Sequence, residues 1–226
     1  MTFEGFSPQT IDFMWNLRFN NNKAWFEENK AEFKEHFQTP MNALKHEVFT
    51  QISAAHSKYN FTHKLSRIYK DARRVRDGEP YRCNLWFIIE KPNEEWTSTP
   101  VFWFELAPES WSYGLGYYQA KPLIMAKFRA RLDRDPQTFA KLIAPLAQQK
   151  EFLLDGEEYK RKKEGAAPEM AEWYNKKSFS LIHSEKNGKD LFSPKLAERL
   201  VKGYEFLMPL YDYFLTLNAD PNPDER

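Results

Sequence analysis

The segment at residues 70–82, KDARRVRDGEPYR, combines four arginines and one lysine with three acidic residues. An arginine guanidinium presents a planar fork of N–H donors that matches a phosphate or a carboxylate, and a neighbouring carboxylate can fix the direction of that fork. These residue types indicate a site for a small anionic ligand. The alternative is a ladder of exposed ion pairs along a sheet edge, each worth only about 0–1 kcal/mol.

The direction of these side chains depends on whether residues 65–73, LSRIYKDAR, form a strand or a helix. In a strand, side chains alternate with a period of two, which places Arg67, Tyr69, Asp71 and Arg73 on one face. One carboxylate then lies between two guanidinium groups. The apolar residues of the same segment also recur at helical spacing, so a helix remains the competing interpretation.

Two glycines in YGLGYY, Gly114 and Gly116, lie on one face of a predicted strand and leave room there for a ligand or another backbone. Gln119 stands where a dinucleotide-binding fingerprint has its third glycine, so the pattern is not that motif. The alternative is that both glycines make room for a neighbouring aromatic ring.

Three further basic segments are KFRARLDR (residues 127–134), YKRKKE (residues 159–164) and NKK (residues 175–177). If they converge on the arginine face, they form a positive funnel for a phosphate-rich partner, with Lys177 as a candidate ligand-binding residue. If they do not converge, they are solvated helix faces and loops.

Helices and strands must position all of these residues. Ser7 with Pro8, Asn22, and Thr39 with Pro40 are each predicted to begin a helix in the amino-terminal third. Later helices are expected from Pro122, after Asp135, at residues 169–174 and after Ser193, with a kink at Pro209. Phe152 to Pro168 is expected to be irregular. Four segments are predicted as strands: CNLWFII, VFWFELA, WSYGLGYY and KSFSLIH.

This order of elements predicts an α+β fold. We expect an antiparallel sheet of about four or more strands, packed against N-terminal, middle and C-terminal helices. No repeat or linker interrupts the chain, so residues 1–226 are expected to form a single compact domain.

Composition excludes several classes of protein. The 33 Lys and Arg residues nearly balance the 32 Asp and Glu residues, so no global field favours nucleic acid or a membrane surface. Cys83 is the only cysteine, which excludes an internal disulfide and suits a reducing compartment. The start, MTFEGFSPQT, has no leader pattern, and no stretch has the apolar length of a membrane span. A cytoplasmic protein is expected, with no metal and no cofactor.

Residues 68–82, IYKDARRVRDGEPYR, resemble a signature of the family known as domain of unknown function 2461, in which an Arg-Asp-x-Arg-Phe stretch precedes Pro-Tyr-Lys. The resemblance extends to NNNKAWFEENK, YGLGYYQAKP and WYNKKSF, and covers most of the chain. Lys70 and Arg82 depart from the usual Arg and Lys, and Arg74 stands where an aromatic residue is usual. The resemblance implies a single compact domain and assigns no catalytic residue. The residues at motif positions are Asp71, Arg73, Pro80 and Tyr81.

The sequence therefore predicts a protein that binds a small phosphate- or carboxylate-bearing ligand, either as a binding protein or as an enzyme. Asp71 would orient the arginines, and Tyr81 would offer a hydroxyl or a ring wall. The candidate ligand-binding residues are Arg67, Asp71, Arg73, Tyr81, Gly114, Gly116 and Lys177.

Two other classes of function remain open. A protein-interaction module would use exposed aromatic residues of the amino-terminal helices. A nucleic-acid-binding domain would use the basic segments with Tyr113, Tyr117 or Tyr118 as stacking rings. The oligomeric state is left open.

Overall fold

The computed structural model describes residues 2–71, 73, 75, 78–92, 99–165 and 167–225. The fold is α+β, with a six-stranded antiparallel sheet in the order β1-β2-β3-β4-β6-β5. This confirms the fold class that the sequence predicts. The strands are β1 (Thr62–Leu65), β2 (Leu85–Glu90), β3 (Val101–Leu106), β4 (Ser110–Gly116), β5 (Leu153–Asp155) and β6 (Ser180–Lys186).

The helices lie where local start signals predict most of them. They are α1 (Pro8–Phe19), α2 (Lys23–Glu28), α3 (Lys30–Glu32), α4 (Thr39–Ala55), α5 (Pro122–Arg134), α6 (Pro136–Ile143), α7 (Ala171–Tyr174) and α8 (Lys195–Leu215). The Asn22 side chain accepts from the Trp25 N–H at 3.0 Å, and Asp135 accepts from the Thr138 N–H at 3.1 Å. Each bond satisfies one N–H that the first helical turn leaves without a partner.

A helix begins at Thr39, as predicted, but Thr39 does not cap it. Thr39 has helical dihedral angles, and α4 continues directly from a π-helical turn at Phe33–Gln38. Pro40 has no N–H, so it cannot donate to the carbonyl of His36 in the α-helical pattern. The Thr10 hydroxyl donates to that carbonyl at 2.5 Å. The hydrogen bond from Thr10 in α1 therefore helps the helix to continue through Gln38 and Thr39, where the sequence predicts that a new helix begins.

The strand predicted over residues 65–73 is shorter than expected. β1 ends at Leu65, and beyond it Tyr69 and Tyr81 form only an isolated antiparallel bridge. Lys70 N–H donates to the Pro80 carbonyl at 2.9 Å, but Pro80 has no N–H to return the bond. Arg73 N–H donates instead to the Asp71 side chain at 3.1 Å, a local turn that competes with strand pairing. The expected common strand face of residues 67–73 is therefore corrected to a short paired stretch followed by a turn.

A short strand, β5, lies within the stretch from Phe152 to Pro168 that was expected to be irregular. It pairs antiparallel with β6, with Leu154 opposite Leu181. Three residues are too few to show the alternation that identifies a strand in a sequence. β6 itself extends to Lys186, three residues beyond the predicted segment.

The chain forms two compact units. Unit 1 comprises Met1–Ile89, Trp103–Tyr113 and Ser184–Gly203. Aromatic rings fill its core: the ring centroid of Phe13 lies 5.9 Å from Phe33 and 6.4 Å from Phe37, and that of Phe104 lies 5.4 Å from Phe87. Burying rings of this size is the main apolar contribution to stability. The single-domain organisation expected from the sequence stays a prediction.

Unit 2 comprises Glu90–Phe102, Gly114–His183 and Tyr204–Arg226. The Phe179 ring is central to its core, with centroids 4.9 Å from Phe214, 5.4 Å from Phe128 and 5.2 Å from Trp173. Among the described residues of both units, no helix combines the length and apolarity needed to span a membrane.

Candidate functional site

The predicted site residues are divided between the two units. Arg67, Asp71, Arg73 and Tyr81 lie in unit 1, whereas Gly114, Gly116 and Lys177 lie in unit 2. Arg74, Arg76 and Asp77, which belong to the same basic segment as Arg73, lie outside the described residues.

Asp71 holds the guanidinium of Arg73 by two hydrogen bonds. Arg73 Nε donates to Oδ1 at 3.0 Å and Nη2 donates to Oδ2 at 2.7 Å. The bond to Asp71 raises the pKa of Arg73 above its usual value. The Arg73 side chain is nevertheless 88% exposed, so the donors that point away from Asp71 face solvent. This is the oriented fork that the sequence predicts, although it is formed by a turn.

Other cations of this segment differ in how they are paired. Lys70 Nζ lies 3.2 Å from the Glu79 carboxylate. Arg82 N–H donates to the Ile68 carbonyl at 2.7 Å, which places Arg82 opposite Ile68 on the paired stretch. Within the described part of the chain, the guanidinium groups of Arg67 and Arg82 have no hydrogen-bond or ion-pair partner.

Three aromatic rings, Phe26, Tyr69 and Tyr81, pack together at this segment. The Tyr81 centroid lies 4.1 Å from Phe26 and 5.2 Å from Tyr69. Asn21 fixes the backbone of Tyr81, because its side chain accepts from the Tyr81 N–H at 3.0 Å and donates to the Tyr81 carbonyl at 2.9 Å. Tyr81 is only 2% exposed and burial raises its pKa, whereas Tyr69 is 49% exposed. The ring that faces solvent is therefore that of Tyr69, whereas the sequence predicts Tyr81 as the ligand contact.

The β6 backbone occupies the space beside Gly114 and Gly116. A Cβ on Gly114 would overlap the Leu181 carbonyl oxygen, and one on Gly116 would lie 2.6 Å from Ser180 Cβ. The structure shows close approach of a second backbone, which is one of the roles expected for these glycines. Their assignment to a ligand site stays a prediction.

The three basic segments of unit 2 converge on one another. The Asn175 side chain accepts from the Lys163 N–H at 2.8 Å, and the Asn175 carbonyl accepts from the Tyr159 N–H at 3.0 Å. The Arg129 guanidinium lies 5.4 Å from the Tyr159 ring centroid, and Lys163 Nζ lies 4.8 Å from it. One residue of each segment, Arg129, Lys163 and Asn175, therefore contacts Tyr159 or its loop, and these four residues are called the Tyr159 cluster.

Lys176 and Lys177, which are adjacent in sequence, differ in burial. Lys177 is exposed, and its Nζ lies 3.1 Å from the Glu157 carboxylate. Lys176 is 6% exposed, and its Nζ donates to the Gly156 carbonyl and to Glu158, both at 3.2 Å. The sequence offers no signal that distinguishes the two lysines, because the difference arises from the fold of residues 156–158.

Unit 1 also contains a surface cavity of about 240 Å³ that sequence reasoning did not find. It lies between the amino-terminal segment, the π-helical turn and the start of α4. The side chains and backbone that line it belong to Thr2, Glu4, Gly5, Ser7, Thr10, Glu35, His36, Thr39, Pro40 and Ala43.

No group of three or more His, Cys, Asp or Glu side chains in the described ranges is arranged to hold a metal ion. Of the rings proposed for nucleic-acid stacking, Tyr113 and Tyr117 are buried, while Tyr118 is exposed. Of the amino-terminal aromatic residues, Phe19 is largely exposed and stacks on Trp15 at 5.9 Å.

A sequence model of the family described as "Conserved hypothetical protein (DUF2461)" matches residues 9–213. The match covers both units and all the candidate residues described above. No curated protein matches the chain.

Proposed function

We propose that this chain, which belongs to the DUF2461 family of conserved hypothetical proteins, binds a small anionic ligand through Arg73. The family description names no activity, so the proposal rests on the chemistry of the residues. The ligand carries a phosphate or a carboxylate. Arg67 and Arg82 supply further positive charge, and Asp71 sets the direction of the Arg73 fork. The proposal assigns no catalytic residue.

The observation that carries this proposal is the pairing of Arg73 with Asp71 at an exposed position. An exposed ion pair contributes little to stability, so the pair has little value as a fastener of the fold. The same pair fixes the orientation of a guanidinium whose other donors face solvent. Fixing the fork in advance reduces the entropy that a bidentate contact with phosphate or carboxylate costs.

Uncompensated charge in the same segment supports binding of an anion. Asp71 pairs with Arg73 and Glu79 pairs with Lys70, so among the described cations here the unpaired positive charge belongs to Arg67 and Arg82. Tyr69, on the same paired stretch, adds an exposed ring that contacts the buried Tyr81 ring. A ligand with a planar apolar part next to its anionic group would use both features.

A thermal-shift panel of phosphorylated and carboxylated metabolites tests the proposal, followed by titration calorimetry of the strongest binder. Arg73→Gln should weaken that binder about 10- to 100-fold, because a hydrogen bond to a charged group is worth about 1.5–3 kcal/mol. Arg73→Lys should recover only part of the affinity, since it keeps the charge and loses the fork. Arg134→Gln, which removes an exposed positive charge from α5, is the matched control and should have no effect.

Asp71→Asn distinguishes orientation of Arg73 from competition for it. If Asp71 orients the fork, Asp71→Asn weakens the ligand. If Asp71 merely occupies Arg73 as a rival anion, the same change strengthens binding. Equal affinity of Arg73→Gln and the parent protein would refute the proposed site, and stronger binding in Asp71→Asn would refute the orienting role of Asp71.

We also propose that the protein is cytoplasmic. Its single cysteine, Cys83, which excludes an internal disulfide, supports this location. Fractionation of cells that express the tagged protein tests it.

A further inference from the structure

The Tyr159 cluster has the features of a second anion site, in unit 2. We propose that Arg129 and Lys163 bind the phosphate group of a small ligand beside the Tyr159 ring. This site is separate from the one proposed in unit 1, and it can be tested independently of that site.

An unsatisfied donor points to a ligand. Arg129 Nη1 is buried, and it has no hydrogen-bond partner among the described residues. A buried N–H of a charged group without a partner costs free energy, so such groups in native proteins usually bind a water molecule, an ion or a ligand. The other side of the guanidinium packs on the Tyr159 ring at 5.4 Å, which fixes its plane.

A second cation shares the same ring. Lys163 Nζ lies 4.8 Å from the Tyr159 centroid, and neither Lys163 nor Arg129 has an ion-pair partner in the ranges that the structure describes. Two like charges held near one ring repel each other, and this repulsion is relieved when an anion binds between or beside them. A phosphate has enough acceptor oxygens for both the guanidinium and the ammonium group.

Neighbouring acids are already engaged with other groups. Asp133 accepts from the Tyr174 hydroxyl at 2.9 Å, and burial together with this bond raises the pKa of Tyr174 to about 12. Glu158 is paired with Lys176, and Glu157 with Lys177. The Tyr174 hydroxyl is neutral, so Asp133 keeps its negative charge. In the described ranges, however, none of Asp133, Glu157 and Glu158 forms an ion pair with Arg129 or Lys163.

Residues 156–165, which carry Tyr159 and Lys163, are held in place at several points. Asn175, itself buried, binds the backbone of both residues, at 3.0 and 2.8 Å. Gly165 adopts a φ of +126°, a conformation that favours glycine, and a Cβ there would lie 2.8 Å from the Tyr174 hydroxyl. Because these bonds exist without a ligand, little ordering entropy is lost when a phosphate binds.

The test is a titration of the full chain with inorganic pyrophosphate. Binding is monitored through the ¹H–¹⁵N chemical shifts of the Tyr159 and Lys163 amides. In the parent protein these shifts should saturate. Arg129→Gln and Lys163→Gln should each raise the Kd about tenfold or more. Lys163 lies on an exposed loop, so Lys163→Gln keeps the test decisive even if Arg129→Gln fails to fold.

Three controls separate the possible explanations. Arg134 lies about 140° around α5 from Arg129, so Arg134→Gln should leave the pyrophosphate titration curve unchanged. Arg73→Gln should also leave it unchanged, which separates this site from the proposed function. Arg161→Gln removes an exposed charge of the same basic run and should have little effect.

Several results would overturn the proposal. One is the absence of saturable shifts at millimolar pyrophosphate. Another is an unchanged Kd in Lys163→Gln. A third is an equal loss in Arg161→Gln and Lys163→Gln together with a steep dependence on salt, because diffuse attraction of a polyanion to the basic run would then explain binding.

Discussion

Asp220 binds the carboxyl-terminal segment of unit 2 to α5, and its replacement gives a quantitative test of the fold. Asp220 Oδ2 accepts from Arg131 Nε at 2.6 Å, and the two side chains are 18% and 12% exposed. Arg131 Nη1 also donates to the Tyr213 carbonyl at 3.0 Å and to Thr216 Oγ1 at 2.8 Å. Asp220→Asn removes the negative charge from this network and keeps the shape of the side chain.

We expect Asp220→Asn to lower the free energy of unfolding by about 1.5–3 kcal/mol, the range for a hydrogen bond between charged groups. A fully buried ion pair that loses one partner costs more, about 3–5 kcal/mol. The smaller range applies because Arg131 keeps its bonds to Tyr213 and Thr216 and retains some contact with solvent. With a urea m-value of about 2–3 kcal/mol/M, the midpoint should fall by roughly 1 M.

The destabilisation should depend on pH with a defined sign. The hydrogen bond from Arg131 is the main reason that the pKa of Asp220 lies below its usual 3.8. A carboxyl group whose pKa is lowered by folding contributes stability that is complete above its unfolded pKa and is lost as pH falls through the folded pKa. The difference in unfolding free energy between the parent and Asp220→Asn should therefore be constant near neutral pH and shrink below pH 3.8.

Urea denaturation followed by tryptophan fluorescence at several pH values measures this difference. Asp224→Asn, an exposed acid four residues along the chain, is the matched control and should leave the midpoint within experimental error. An equal effect of the two variants, or a difference that grows as the solution is acidified, would show that the Arg131 bond does not stabilise unit 2.

Two further predictions concern single residues in the sheet and beside it. Gly114→Ala should destabilise the protein by more than about 2 kcal/mol in thermal or urea unfolding, because the new Cβ would overlap the β6 backbone. Gly188→Ala is the control, since a Cβ there would have no atom closer than 3.8 Å. Equal stability of the two variants would refute the reasoning. Cys83 should react slowly with iodoacetamide at pH 8, since burial raises its pKa more than the nearby Arg18 lowers it. Glu109→Gln should speed this reaction by releasing Arg18 towards the thiolate, and an unchanged or slower rate would count against the assignment.

Local signals in the sequence predicted most element starts correctly. Asn22 and Asp135 each accept a bond from a backbone N–H three residues later, so the sequence contains the complete interaction. Thr39 begins α4 without capping it, because the residues before it are already helical and contact a distant part of the chain. The bond from Thr10 to the His36 carbonyl crosses 26 residues, and no spacing rule describes it.

The candidate site shows the same limit. The Asp71–Arg73 pair spans two residues, and the sequence predicted that the two side chains interact, although through a strand face that the structure replaces with a turn. Which tyrosine faces solvent depends on Phe26, more than 40 residues away, whose ring covers Tyr81 and leaves Tyr69 half exposed. The sequence predicted the charged groups of this site better than their surroundings.

Arginine partners distinguish residues that stabilise the fold from residues available to a ligand. Arg199 donates to Glu185 at 3.0 Å and to Asp190 at 2.7 Å, and it covers the Trp111 ring at 5.1 Å. Its charge is compensated twice within the protein, and Arg131 is committed in a similar way. A guanidinium has five N–H donors, so an arginine with one partner or none keeps donors for a ligand.

Arg73 and Arg129 meet that criterion in different ways. Arg73 has one acid on one edge and is open to solvent on the other, whereas Arg129 has a ring on one side and a buried N–H without a described partner. In each case a neighbouring group fixes the plane of the guanidinium without using all its donors. The buried N–H of Arg129 costs stability unless something binds it, whereas the exposed donors of Arg73 bind water when no ligand is present. The reason for proposing an anion is therefore an unsatisfied donor at Arg129 and a preorganised fork at Arg73.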